Sequence, residues 1–143
     1  MGPERGSVIR YSYLWADESA RGREEGRKDR PALVLALSIR DSDGKTEVLV
    51  LAVTHTPPAG ADDAVAFPHD IKRQLGLDDT PSWIVTTEAN AFFWPGPDLR
   101  PVPGRTPTTM IYGRVPNSLL KQVARSYLAN RDRQRSRRVP RTQ

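Results

Sequence analysis

Arg30-Pro31-Ala32-Leu33-Val34-Leu35-Ala36-Leu37, interrupted by Asp41-Ser42-Asp43-Gly44 and resumed as Val48-Leu49-Val50-Leu51-Ala52-Val53-Thr54, is the stretch on which the reading of this chain turns. Two short apolar runs joined by an Asp/Gly turn predict a β-hairpin. The runs are apolar at nearly every position, so both faces of the pair need cover and the strands belong at the centre of a sheet. Antiparallel pairing sets the start of the first strand beside the end of the second. Arg30 and Thr54 therefore fall at one end of the ladder, a guanidinium next to a hydroxyl at the mouth of a rigid hairpin, which suits a phosphate. The chain leaves the hairpin abruptly through His55-Thr56-Pro57-Pro58.

Outward from the hairpin, Val8 to Trp15 is β-branched and aromatic and reads as a first strand. Residues 16 to 29 are charged and glycine-rich, with nothing to form a core; a connection of that length is a candidate functional loop. On the other side come a loop over 57–64, a short strand at Val65-Ala66-Phe67, and a brief helix from Pro68 to Gly76 with Ile71 and Leu75 on one face. Ser82 to Thr87 is another strand. Glu88 to Trp94 either continues it or departs from it before the turn at Pro95-Gly96-Pro97-Asp98. A last strand is expected near Thr109 to Tyr112, followed by a helix capped by Asn117 or Ser118. In that helix Leu119, Leu120, Val123, Ala124, Tyr127 and Leu128 make one apolar stripe. The sum is a mainly β domain, a small, strongly curved antiparallel sheet or barrel with a short helix and an amphipathic C-terminal helix.

The 143 residues are enough for one self-supporting domain, placed at 1–130. Residues 131–143 carry six Arg and one Asp, so the whole net charge of +5 resides there and the body is formally neutral. Nearly devoid of apolar residues, this tail is expected to be disordered, either a solvated terminus or an attractor of nucleic acid. The absence of cysteine excludes disulfides, thiolate metal sites and cysteine nucleophiles. Two histidines without cysteine give no zinc cluster, and no glycine-rich phosphate loop precedes a helix, so no cofactor or metal is expected. No apolar stretch is long enough to span a membrane and no signal-peptide core occupies the first twenty residues; a cytoplasmic protein without membrane partners is the expectation.

Gly6 opening a first strand, the glycine-rich charged loop, Arg30-Pro31-Ala32-Leu33-Val34-Leu35, and Val50-Leu51-Ala52-Val53-Thr54 together resemble the MazF/PemK family of toxins. Glu88 to Trp94 and the helix after Pro116 fall where that family has its later strand and terminal helix, so the resemblance covers most of residues 6 to 130. It implies an SH3-like barrel that forms a homodimer, cuts single-stranded RNA without a metal and is inhibited by a cognate antitoxin. It also carries over two catalytic residues, Arg30 and Thr54. The chain departs from the family at Ser7, where an acidic residue is usual, in a longer stretch from Gly6 to Arg30, and across the proline cluster of residues 88–105. Those departures fall on the substrate-facing loops, so the cleavage sequence does not follow from the resemblance.

Metal-free RNA cleavage needs a base for the 2′-hydroxyl, an acid for the leaving 5′-oxygen and cationic donors for the phosphorane. Arg30 suits the last role, since a guanidinium stays charged and presents a planar fork of donors; a salt bridge to Asp29 or Glu25 is its structural alternative. Thr54 would orient the phosphate. An imidazole is a natural base near neutral pH, which singles out His55. Strand alternation, however, puts Thr54 and Thr56 on one face and His55 on the other, so a regular strand admits only one of the two to the site. Glu88, and behind it Asp29, are further candidates for the base. His69 reads as a surface residue at a helix start. Lys28, Thr56 and Trp94 are candidate RNA contacts; Trp83, Phe92 and Phe93 are aromatics that stack on bases or fill the core. Two other functions fit the same fold: a non-catalytic toxin or regulator that binds a protein, and an RNA-binding module driven by the arginine tail.

Overall fold

In the computed structural model, which describes residues 2–16, 29–133 and 137–140, the hairpin forms as the apolar runs require. Strand β1 (Ser7–Tyr11) precedes the two hairpin strands, β2 (Arg30–Ile39) and β3 (Thr46–Thr54), which pair with Ala32 opposite Ala52 and Ile39 opposite Thr46. Alternate residues of the pair feed two separate cores. Leu33, Leu35, Leu51 and Val53 enter one, and Ala32, Val34, Val48, Val50 and Ala52 the other. This two-sided burial explains why neither strand shows a polar face.

Short elements follow in chain order: β4 (Ala64–Ala66), α1 (His69–Gln74), β5 (Trp83–Val85), β6 (Glu88–Trp94), β7 (Ile111–Arg114), α2 (Asn117–Asp132) and β8 (Arg137–Pro140). The strand order is β4-β5-β3-β2-β1-β7, with β6 also on β3 and β8 on β6. The mainly β architecture with a short helix and an amphipathic C-terminal helix is as expected. Among the described residues β4 and β7 are not paired, so the sheet is not closed. It is nevertheless strongly curved. Tyr11 of β1 and Phe92 of β6 stand three strand spacings apart along the sheet, roughly 14 Å if it were flat, yet their rings stack with centroids 4.8 Å apart. The second core lies inside that curl. The first is covered by α2 through Leu119, Leu120, Val123 and Tyr127, while Leu128 of the same stripe stays exposed.

Long β3 has two partners on its outer edge. Thr46 to Val50 pair with β6 and Val53-Thr54 with β5, so Glu88–Trp94 departs from the preceding strand. Buried Thr86 marks the break; its hydroxyl lies 2.7 Å from that of Ser126 on α2. At the start of α2 the N-cap is Pro116, without a side-chain cap, and Asn117 instead accepts a hydrogen bond from Arg114. The tail also differs from expectation. Helix α2 runs through Asp132, and Arg137–Pro140 adds a parallel strand to β6 with Arg137 opposite Glu88. Strand addition uses backbone groups, so a segment poor in apolar side chains can still dock on an open edge. No helix among the described residues is long and apolar enough to cross a membrane.

Gly113 sits at the register shift between β1 and β7, with φ at +153°. A Cβ placed there would lie 2.6 Å from Leu75 Cδ2. Gly113→Ala is expected to lower the unfolding free energy by about 1–3 kcal/mol, read from the midpoint of urea denaturation with the slope unchanged.

Candidate active site

The register that pairs Ala32 with Ala52, continued by two residues, sets Arg30 opposite Thr54. Both line a cavity of about 780 Å³ at this end of the hairpin. Strand β3 ends at Thr54, and His55 and Thr56 lie in a bend where alternation no longer applies. Thr54, His55 and Thr56 therefore all line the same cavity, whereas a regular strand would have sent His55 to the other face. The Thr54 hydroxyl accepts a hydrogen bond from the Thr56 N–H at 3.1 Å. Its own proton stays available for a phosphate oxygen.

Arg30 is held by an aromatic group that the sequence reading did not single out. Its guanidinium carbon lies 5.1 Å from the centroid of the Trp15 ring, which also lines the cavity. The Trp15 segment is fixed from β6. Buried Asn90 accepts from the Leu14 N–H at 2.9 Å and donates to the Leu14 carbonyl at 2.7 Å. Glu88 accepts from the Ala16 N–H at 2.9 Å and from the Tyr13 hydroxyl at 3.4 Å. Burial first, and the Glu88 carboxylate second, push the Tyr13 phenol well above its ordinary value, so it remains a donor. Glu88 thus anchors the wall of the cavity and is not among its lining residues, unlike the candidate base or RNA contact expected.

The other expected residues divide. Asp29 lines the cavity, its carboxylate 3.8 Å from Arg10 and 3.4 Å from Arg100. Trp94 does not reach it. It pairs with Thr46 at the far end of β3, roughly 26 Å from Thr54 along the strand, and packs on the second core beside Phe92. Phe92 is core, Phe93 lies under Arg40, and His69 is exposed at the start of α1. Lys28 lies outside the described residues.

The cavity also holds an array with no signature in the sequence. His55 Nε2 lies 2.9 Å from Asp78 Oδ2, and Asp78 Oδ1 accepts a hydrogen bond from Lys72 Nζ at 2.8 Å. Lys72 is only 2% exposed, and its ammonium also donates to the Ser82 hydroxyl at 2.7 Å and to the Thr80 carbonyl. Its three protons are thereby all used. A lysine on an amphipathic helix reads as solvated, and only tertiary packing shows that this one faces inward. The hydrogen bond from Lys72 holds the Asp78 carboxyl below the usual range; burial opposes this, and the charges of Lys72 and His55 reinforce it.

The chain matches no protein-family model and no curated protein sequence. The cavity therefore has to be read from its own chemistry.

Because the Asp78 carboxyl is depressed on folding, its ionised form adds stability above the unfolded value of about 3.9, and that contribution is lost as pH falls through the lower folded value. The difference in melting temperature between wild type and Asp78→Ala should accordingly be present while the carboxylate is ionised and shrink as pH is taken below about 4. Differential scanning calorimetry across that range checks it; a difference that persists undiminished in strong acid would contradict the pairing.

Proposed function

We propose that the chain is a metal-independent endoribonuclease of the MazF/PemK kind, which cuts single-stranded RNA by attack of a 2′-hydroxyl on the adjacent phosphate. The observation that carries this reading is the convergence of Arg30, Thr54 and His55 on one cavity at the mouth of the hairpin. A volume of about 780 Å³ is of the size that holds a small ligand such as a nucleotide.

Each group has a role that its surroundings favour. The Arg30 fork, braced against Trp15, binds the non-bridging oxygens and neutralises the charge that builds on the phosphorane. Thr54, its oxygen already fixed by the Thr56 N–H, donates its hydroxyl proton to the scissile phosphate and sets its orientation. His55 is the group placed to exchange protons with the reacting oxygens. The products are a 2′,3′-cyclic phosphate and a 5′-hydroxyl. In the cell such an activity arrests growth, and this reading assigns the chain as a cytoplasmic, homodimeric toxin restrained by a cognate antitoxin protein.

Digestion of a long RNA in chelator tests the proposal. The wild type should leave discrete fragments with those ends. Arg30→Ala should cut slower by on the order of 10²–10³-fold, and Thr54→Ala by on the order of tenfold or more, both with wild-type circular dichroism. Intact RNA after incubation with folded wild type would overturn the reading and recast the cavity as a docking surface for a protein target.

A further inference from the structure

Lys72 and Asp78 have no part in the chemistry above, yet a buried ammonium is costly unless it does something that a packed apolar side chain would not. Its protons are divided among Asp78, Thr80 and Ser82, and the Asp78 contact leads onward to His55. The Asp78 carboxylate is the bridge, with one oxygen on Lys72 and the other 2.9 Å from His55 Nε2.

We infer that Asp78, oriented by Lys72, is the positioning residue that makes His55 the general base. A carboxylate only accepts, so it selects the tautomer with the proton on Nε2. The lone pair is then left on Nδ1, the nitrogen that remains for the cavity. In the cleavage step Nδ1 takes the proton of the 2′-hydroxyl while the O2′–P bond forms and the P–O5′ bond breaks. The leaving 5′-oxygen takes a proton from solvent, and the imidazolium returns its own to solvent, so the balance closes without a further reactant. The catalytic part of this inference rests on the ribonuclease reading; the tautomer does not.

The array makes a prediction that a merely structural ion pair would not. In Asp78→Asn the amide has one acceptor and one donor end. The Lys72 ammonium can only donate, so it holds the amide oxygen and turns the NH₂ toward His55 Nε2. That reverses the tautomer, placing the proton on Nδ1 and removing the base. The side chain is nearly isosteric, so substrate binding should persist. The Thr80 N–H, which donates to the same Asp78 oxygen at 3.2 Å, holds the amide in the same sense.

The experiment measures single-site RNA cleavage and the ¹⁵N spectrum of the His55 ring in the wild type and Asp78→Asn. The inference expects a loss on the order of 10²-fold in kcat for Asp78→Asn with KM within about twofold. It also expects a change from the Nε2–H to the Nδ1–H form. If the wild type cuts RNA while Asp78→Asn keeps its rate or its tautomer, the inference is overturned and the ribonuclease reading stands. If the folded wild type cuts nothing, the base assignment falls together with the ribonuclease reading, and the spectra then show only whether the carboxylate fixes the ring.

Discussion

The pairing of β2 with β3, buried on both faces, is the constraint from which the rest of the structure follows. A two-stranded unit that is apolar on both sides cannot be satisfied by one layer. On one side the C-terminal helix supplies the cover; on the other the sheet has to curl until side chains from β1 and β6 meet over the hairpin. The curl brings Trp15, which follows β1, over Arg30 at the start of β2.

The same constraint fixes where chemistry can occur. Both strands are filled with aliphatic side chains along their length, so polar groups collect where the ladder ends. At the turn end they face solvent, as in the exposed contact between Arg40 and Asp43. At the open end β5 and β6 diverge beside a cavity, and the segment between α1 and β5 adds Asp78 to its lining. The cavity thus has one wall cut from the rigid hairpin and another built from a short helix and its loop. The first wall carries Arg30, Thr54 and His55, and the second the Asp78 carboxylate that contacts His55.

How far the sequence revealed this depends on the range of the interaction involved. The hairpin, and with it the meeting of Arg30 and Thr54, was legible because a period of two and an Asp/Gly turn determine register locally. The alternation argument that sent His55 to the other face carried the same rule one residue too far: alternation holds inside a strand, and β3 stops at Thr54. Glu88 and Trp94 were picked for their chemical types, yet the first is taken up by backbone and phenol donors and the second lies at the opposite end of β3. Nothing in the local pattern marks Lys72 as buried or joins it to Asp78, since that contact depends on how α1 packs against the sheet. The docking of Arg137–Pro140 on β6 was hidden for a related reason, because backbone pairing leaves little trace in side-chain composition.

The central claim is that this cavity directs a ribose hydroxyl at its neighbouring phosphate. It is tested most directly with an oligonucleotide carrying one 2′-deoxyribonucleotide at the mapped cut site, compared with the all-ribose strand in chelator. The account predicts that the substituted strand binds with similar affinity and is not cut at that position, while the ribose strand yields a cyclic phosphate end. Cleavage at the deoxyribonucleotide would show that the nucleophile comes from elsewhere and would contradict the assignment of the cavity.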